Sequence, residues 1–70
     1  MKATHKIVGI HKDDSFHDTP ELIGKKGFAT NIRETREGYV TCNIRFITPQ
    51  KIKGDVIEDA FFYAIKLEKL

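Results

Sequence analysis

Three histidines recur at intervals of six residues near the start of this sequence, at positions 5, 11 and 17. Imidazole nitrogens are common zinc ligands, but the ligands of a metal must converge on one ion. Six residues of extended chain span about 20 Å, so on a strand these side chains would lie far apart. No cysteine pair and no HxxxH spacing accompanies them. We therefore interpret His5, His11 and His17 as solvated side chains and predict no metal or other cofactor.

Nucleophilic chemistry is the second possibility, because Ser15, His17 and Asp18 have the residue types of a hydrolytic triad. Neighbours in sequence rarely reach triad geometry, and this loop-forming stretch has no rigid element to aim them. Cys42 is the other candidate nucleophile. It lies on the apolar side of the best strand pattern in the chain, which favours a small buried side chain. We expect no enzymatic activity.

Binding of a polyanion is the third possibility. Residues 24–53 carry seven Lys or Arg and two Glu, a net charge of +5, whereas the rest of the chain has a net charge of −3. A basic segment of this kind suits nucleic acid, although it is also typical of an ordinary solvated surface. The side chains predicted to form a binding surface are Lys25, Lys26, Arg33, Tyr39, Asn43 and Arg45.

A β-hairpin is predicted to position most of these side chains. Apolar and polar residues alternate in YVTCNIRFI, residues 39–47, and in FATNIR, residues 28–33, as in half-buried strands. A three-residue loop over 36–38, with Gly38 at positive φ, would join them. Strand register then follows from this loop. The predicted pairs are Thr35 with Tyr39, Phe28 with Phe46, Thr30 with Ile44 and Ile32 with Cys42, with Arg33 opposite Thr41 and Asn31 opposite Asn43 on the outside.

The region before this hairpin predicts a strand, a loop and a corner. KIVGIHK is short and β-branched, and the DDSFHDTP cluster after it is typical of a long loop. Gly24 and Gly27 then bracket two lysines in ELIGKKGFAT. Glycine permits a sharp turn or a close backbone approach, and lysines keep such a corner solvated. We predict a structural turn here.

The last segment, residues 55–70, has two interpretations. Asp55 and Glu58 have the spacing of a helix cap, and apolar residues of DVIEDAFFYAIKLEKL fall on one helical stripe. The aromatic residues favour a strand instead, and apolar side chains alternate from position 61 to 67. Both interpretations stay open, so an α+β fold, an antiparallel sheet with a C-terminal helix, is the alternative to an all-β fold.

The order of these segments resembles the small SH3-like barrels. The first strand, the long loop, LIGKKGFATNI, the hairpin into YVTCNIRF and the final KLEKL are similar to the photosystem I subunit IV family, the variable chain of ferredoxin-thioredoxin reductase and KOW-type modules. The resemblance implies an all-β, five-stranded open barrel with a helical turn at residues 63–66 and a closing strand at 67–70. Signatures of peptide-binding SH3 domains are missing, so proline-rich ligands are not implied.

Length and cysteine content complete the expectations. Seventy residues predict a single domain, 1–70. A lone thiol suits the reducing cytosol, and IVGI is too short for a signal-peptide core or a membrane span. We therefore expect a cytoplasmic protein without membrane contact, a monomer or weak oligomer. The expected function is a small binding module, an adaptor or accessory protein whose partner is another protein. KOW-like binding of RNA or DNA by the basic hairpin is the alternative.

Overall fold

The computed structural model describes residues 2–70, apart from the side chain of Arg36. It contains four β-strands and a short 3-10 helix at Pro20–Leu22. The strands are β1 His5–Ile10, β2 Lys26–Arg36, β3 Tyr39–Ile52 and β4 Asp55–Lys69. The prediction of an all-β fold is confirmed. The alternative with a C-terminal helix is wrong, because β4 occupies that segment.

The four strands are antiparallel and pair in a ring, in the order β1, β2, β3, β4 and back to β1. β3 is a single strand of 14 residues that includes residues 48–52. Within residues 2–70, no helix is long and apolar enough to cross a membrane.

β2 and β3 form the predicted hairpin, and Gly38 has the predicted positive φ, at 76°. Its turn is shorter than predicted. Arg36 pairs with Tyr39, so two residues rather than three form the connection, and the predicted pairing of Thr35 with Tyr39 is wrong. Thr35 is left out of the pairing, so the predicted register returns at Glu34 with Val40 and continues at Arg33 with Thr41.

The register of the hairpin fails toward the start of β2. Phe28 pairs with Arg45 instead of Phe46, and Thr30 pairs with Asn43 instead of Ile44. The cause is a β-bulge between Thr30 and Arg33, where Asn31 has a φ of 55°. An extra residue in one strand moves the following side chains to the other face of the sheet.

This bulge changes which β2 side chains reach the core. Ala29 packs against the core, whereas Ile32, predicted to pair with Cys42 inside, is 43% exposed. Cys42 itself is fully buried, as predicted. The buried core cluster consists of Ile7, Leu22, Cys42, Ile44, Phe46, Ile52, Phe62 and Ile65.

β4 is continuous, so the predicted helical turn at residues 63–66 is wrong. A second irregularity replaces it. Val40 pairs with Ile65 and Cys42 pairs with Phe62, so two residues of β4, Tyr63 and Ala64, lie opposite one residue of β3. A bulge of this kind lets a strand bend while it stays in the sheet.

The loop after β1 is attached to this bulge by Asp14, which is 1% exposed. Its Oδ2 accepts hydrogen bonds from the backbone N–H groups of Tyr63 at 2.7 Å and Ala64 at 2.8 Å. Its Oδ1 accepts one from the N–H of Phe16 at 2.8 Å. Hydrogen bonds to an ionised acceptor are stronger than neutral ones. A single carboxylate therefore accepts hydrogen bonds from two N–H groups of β4 that lie beyond its pairing with β1. The same contacts hold the loop against the sheet.

The predicted corner before β2 contains one residue with a positive φ and one close approach of two backbones. Gly24 has a φ of 96°, which suits glycine. Gly27 does not have a positive φ, but a Cβ atom there would lie 2.5 Å from the backbone oxygen of Arg45. Lys25 and Lys26 are exposed between these glycines.

Asp14→Ala should lower the free energy of unfolding by roughly 2–4 kcal/mol, because the N–H groups that it serves would lose their acceptor. Denaturant unfolding followed by circular dichroism measures this. Asp13→Ala is the matched control, since Asp13 is exposed and its oxygen lies 3.7 Å from His11. The control should change stability by less than about 1 kcal/mol. Equal losses in the two variants would contradict the anchoring role of Asp14.

Gly27→Ala should destabilise the protein by about 1–3 kcal/mol, because the added methyl group meets the backbone of β3. Gly9→Ala is the control. A Cβ at Gly9 would lie 3.6 Å from Cβ of Lys66, an ordinary contact, and the expected change is within about 0.5 kcal/mol. Thermal unfolding of both variants compares the two sites, and similar melting temperatures would refute the close-approach explanation.

Candidate binding face

β3 directs alternate side chains to the two sides of the sheet. Cys42 and Ile44 point into the core, whereas Asn43 and Arg45 are exposed. Directly paired residues of neighbouring strands share a side of the sheet, so their positions follow from the register. We name the exposed side of β2, β3 and β4 the outer face. Its members are Phe28, Thr30, Arg33, Thr41, Asn43, Arg45, Asp59, Phe61 and Tyr63.

A shallow groove of about 430 Å³ crosses the outer face. Phe28 of β2 and Phe61 of β4 border it, with Asn43 and Arg45 on the strand between them. Asp59 pairs with Arg45 across the β3–β4 ladder. The groove therefore combines two aromatic rings, an amide and a guanidinium that has a carboxylate as its neighbour.

Two aromatic side chains of β4 are exposed on this face. Phe61 is 46% exposed and Tyr63 is 60% exposed. Their ring centroids are 5.2 Å apart, and the rings meet edge to face at 83°. The hydroxyl of Thr41 donates a hydrogen bond to the backbone oxygen of Tyr63 at 2.9 Å. This pair forms an apolar surface that the described protein leaves in contact with water.

Three of the six predicted site residues lie on the outer face: Arg33, Asn43 and Arg45. Tyr39 is not among them, because its side chain is half-buried and contacts two other side chains of the protein. The ring of His11 meets it edge-on with centroids 4.9 Å apart, and Nζ of Lys66 lies 5.0 Å from its centroid.

Lys25 and Lys26 lie apart from the groove of Asn43 and Arg45. They line a separate open depression of about 500 Å³ together with residues that include Ile47. The structure therefore does not bring the six predicted residues together in one site.

The aromatic residues of the outer face were missed by sequence reasoning. Phe28 was assigned to the core, and Tyr63 was placed in one apolar series with Ile65. The bulge at Tyr63 and Ala64 breaks that series, so Tyr63 is exposed while Ile65 is fully buried. The only usable signal was the FFY run, because three adjacent aromatic residues on one strand cannot all point to the buried face of the sheet.

The polar side chains near the first loop have partners that do not form a triad. Nδ1 of His17 lies 2.9 Å from the backbone oxygen of Asp14. The Lys53 ammonium lies 2.9 Å from the Asp18 carboxylate and holds the pKa of that carboxyl below its usual value. Among residues 2–70, no three His, Cys, Asp or Glu side chains are grouped as metal ligands.

The thiol of Cys42 is fully buried. Burial, followed by the nearby charge of Asp14, raises its pKa to about 11. Because the thiolate is the reactive form, the native protein holds this cysteine in an inert state.

Comparison of this chain with protein-family models, curated proteins and solved structures finds no match. The fold and the outer face are therefore the basis for inferring its function.

Cys42 should react with Ellman's reagent at pH 8 at least about 100-fold more slowly in the native protein than in the chain unfolded by guanidinium, because its pKa is raised and its sulfur is covered. Absorbance of the released thionitrobenzoate measures the two rates. Comparable rates would show that the thiol is accessible in the folded protein.

Proposed function

We propose that this protein is a small non-enzymatic binding module, an adaptor or accessory protein that binds another protein through the outer face. The observation that carries the proposal is the exposed pair Phe61 and Tyr63, with Arg45 in the same groove as Phe61. Aromatic residues and arginine are enriched at the centres of protein interfaces and supply much of the binding energy there.

The charges of the outer face favour a protein partner over a polyanion. Its two cations, Arg33 and Arg45, are accompanied by Asp59, which pairs directly with Arg45. Binding to nucleic acid depends on neutralising several phosphates with Lys or Arg. A mixed set of charges around aromatic rings matches the polar rim and aromatic centre of a protein interface.

We propose further that the ring of strands is an SH3-like barrel of five strands. The pairing of β3 with β4 is interrupted between Arg45 and Gln50. This break divides β3 into a segment that ends near Phe46 and a second segment from Gln50 to Ile52. Counting these segments separately gives five strands, which supports the resemblance to the SH3-like families.

Binding of single-stranded RNA or DNA is the second candidate function. The outer face carries three aromatic residues, Phe28, Phe61 and Tyr63, where the sequence had placed only Tyr39. Bases stack on exposed aromatic rings in proteins that bind single strands. The exposed Arg33 and Arg45 would contact phosphates in this case.

Phe61→Ala/Tyr63→Ala should weaken binding of the partner protein at least tenfold, because it removes the aromatic centre of the outer face. The partner is first captured on the immobilised wild-type protein from cells that express it, then purified and titrated by calorimetry. Val8→Ala/Ile23→Ala is the matched control, since both residues are exposed and apolar but lie outside the outer face. The control should bind as wild type does.

Two other outcomes would contradict this proposal. Unchanged affinity in the Phe61 and Tyr63 variant would exclude the outer face from binding. The same calorimetry with single-stranded oligonucleotides tests the second candidate. Tight oligonucleotide binding that falls steeply with salt and depends on the two aromatic residues would favour nucleic acid as the partner.

A further inference from the structure

Only part of β4 has hydrogen-bonded neighbours on both of its edges. β3 covers one edge. β1 pairs with the other edge over residues 65–69, and Asp14 takes the N–H groups of Tyr63 and Ala64. In the part of the chain that the structure describes, no backbone hydrogen bond reaches this second edge over residues 55–61. We name this stretch the free edge.

Both faces of the sheet are exposed along most of the free edge, and only Ile57 and Ala60 pack against the core. Consecutive residues of a strand point to opposite faces, so one covered face would alternate with one exposed face. Instead, Asp55 and Val56 are both exposed, and so are Glu58 and Asp59. Val56 is 69% exposed, and a shallow depression of about 390 Å³ is lined by residues 56–59. A further strand therefore has room to add here.

The free edge is acidic. It contains Asp55, Glu58 and Asp59, and no Lys or Arg occurs between residues 55 and 65. On the adjacent strand, Arg45 pairs with Asp59 and Lys51 pairs with Val56, so Asp55 and Glu58 are the carboxylates without a directly paired cation. The preceding cation, Lys53, forms an ion pair with Asp18 at 2.9 Å. An incoming strand with basic side chains would be attracted by these carboxylates, whereas an acidic strand would be repelled.

We propose that the free edge binds an extended basic segment of the partner protein as an added β-strand. The inference rests on the proposed function and names the chemistry of the partner. Strand addition obtains affinity from backbone hydrogen bonds and specificity from alternate side chains. Lysines or arginines of the segment face the carboxylates, and an apolar side chain packs on Val56. Phe61 belongs to both surfaces, so the added strand extends the outer face.

Charge also decides between this partner and a second copy of the same chain. Antiparallel pairing of two free edges would bring Asp55, Glu58 and Asp59 close to the same residues of the other copy. Like charges on directly opposite strand positions destabilise pairing, and charged edges are a known protection against self-association. The free edge therefore selects a different chain of opposite charge.

The test uses the full chain and a synthetic probe, acetyl-Lys-Val-Lys-Val-Lys-Val-Lys-amide. Titration followed by nitrogen-15 NMR should shift the amide resonances of residues 55–61 most and slow their hydrogen exchange. The Glu-Val counterpart of the probe should not bind. A probe N-methylated on alternate amides keeps the charge but loses hydrogen-bond donors, so its affinity should fall at least tenfold.

Charge variants locate the site. Asp55→Lys/Glu58→Lys should weaken probe binding at least tenfold. Glu34→Lys/Glu37→Lys makes the same charge change at the other end of β3, in the β2–β3 hairpin, and should have less than a threefold effect. Equal binding of the N-methylated probe, or equal effects of the two double variants, would overturn strand addition at the free edge.

The outcome for this inference can be separated from that for the proposed function. Asp55 and Glu58 lie outside the outer face, whereas Tyr63 lies outside the free edge. If Tyr63→Ala weakens binding of the captured partner but Asp55→Lys/Glu58→Lys does not, the inference is wrong and the proposed function stands. If neither variant weakens binding of the captured partner, both the inference and the proposed function are wrong, even if the probe binds.

Discussion

The hydrogen bonds from Tyr63 and Ala64 to Asp14 are the interaction on which the rest of the structure depends. The pairing of β1 with β4 ends at Ile65, and the bulge lies just before it, at Tyr63 and Ala64. β1 therefore supplies no acceptor for the N–H groups of these two residues. One carboxylate oxygen accepts both. Because the bulge is fixed in this way, Tyr63 points to solvent while Ile65 enters the core. Asp14 thus connects the first loop to the orientation of the exposed aromatic pair.

Sequence patterns predicted strands more reliably than their pairing. The alternation in YVTCNIRFI identified β3 and the burial of Cys42, because each side chain there depends only on the period of a strand. The register of β2 depends on Asn31 at a φ of 55°, which inserts one residue into the count. Alternation by itself cannot show such an insertion, since FATNIR has a regular pattern that fits an unbulged strand equally well.

The candidate site, like the fold, could be predicted from the sequence only in part. Asn43 and Arg45 followed from the period of β3. The aromatic half of the outer face did not, because the positions of Phe61 and Tyr63 depend on a bulge stabilised by a distant residue. Nothing in DDSFHDTP distinguishes the buried Asp14 from the exposed Asp13 before it. The deciding contact joins residues 50 positions apart, as between Asp14 and Ala64.

The junction between β1 and β2 has a consequence for the order of folding. Its ladder has two residue pairs, His5 with Gly27 and Lys6 with Lys26, and the second places two lysines directly opposite each other. Backbone hydrogen bonds from Ile7 to Lys25 and from Gly24 to Ile7 continue the junction by one step. β2, β3 and β4 are joined by turns at residues 37–38 and 53–54, which require little loop-closure entropy, whereas β1 must return across residues 11–25. We therefore expect the three-stranded meander to form first and the N-terminal strand to complete the ring last.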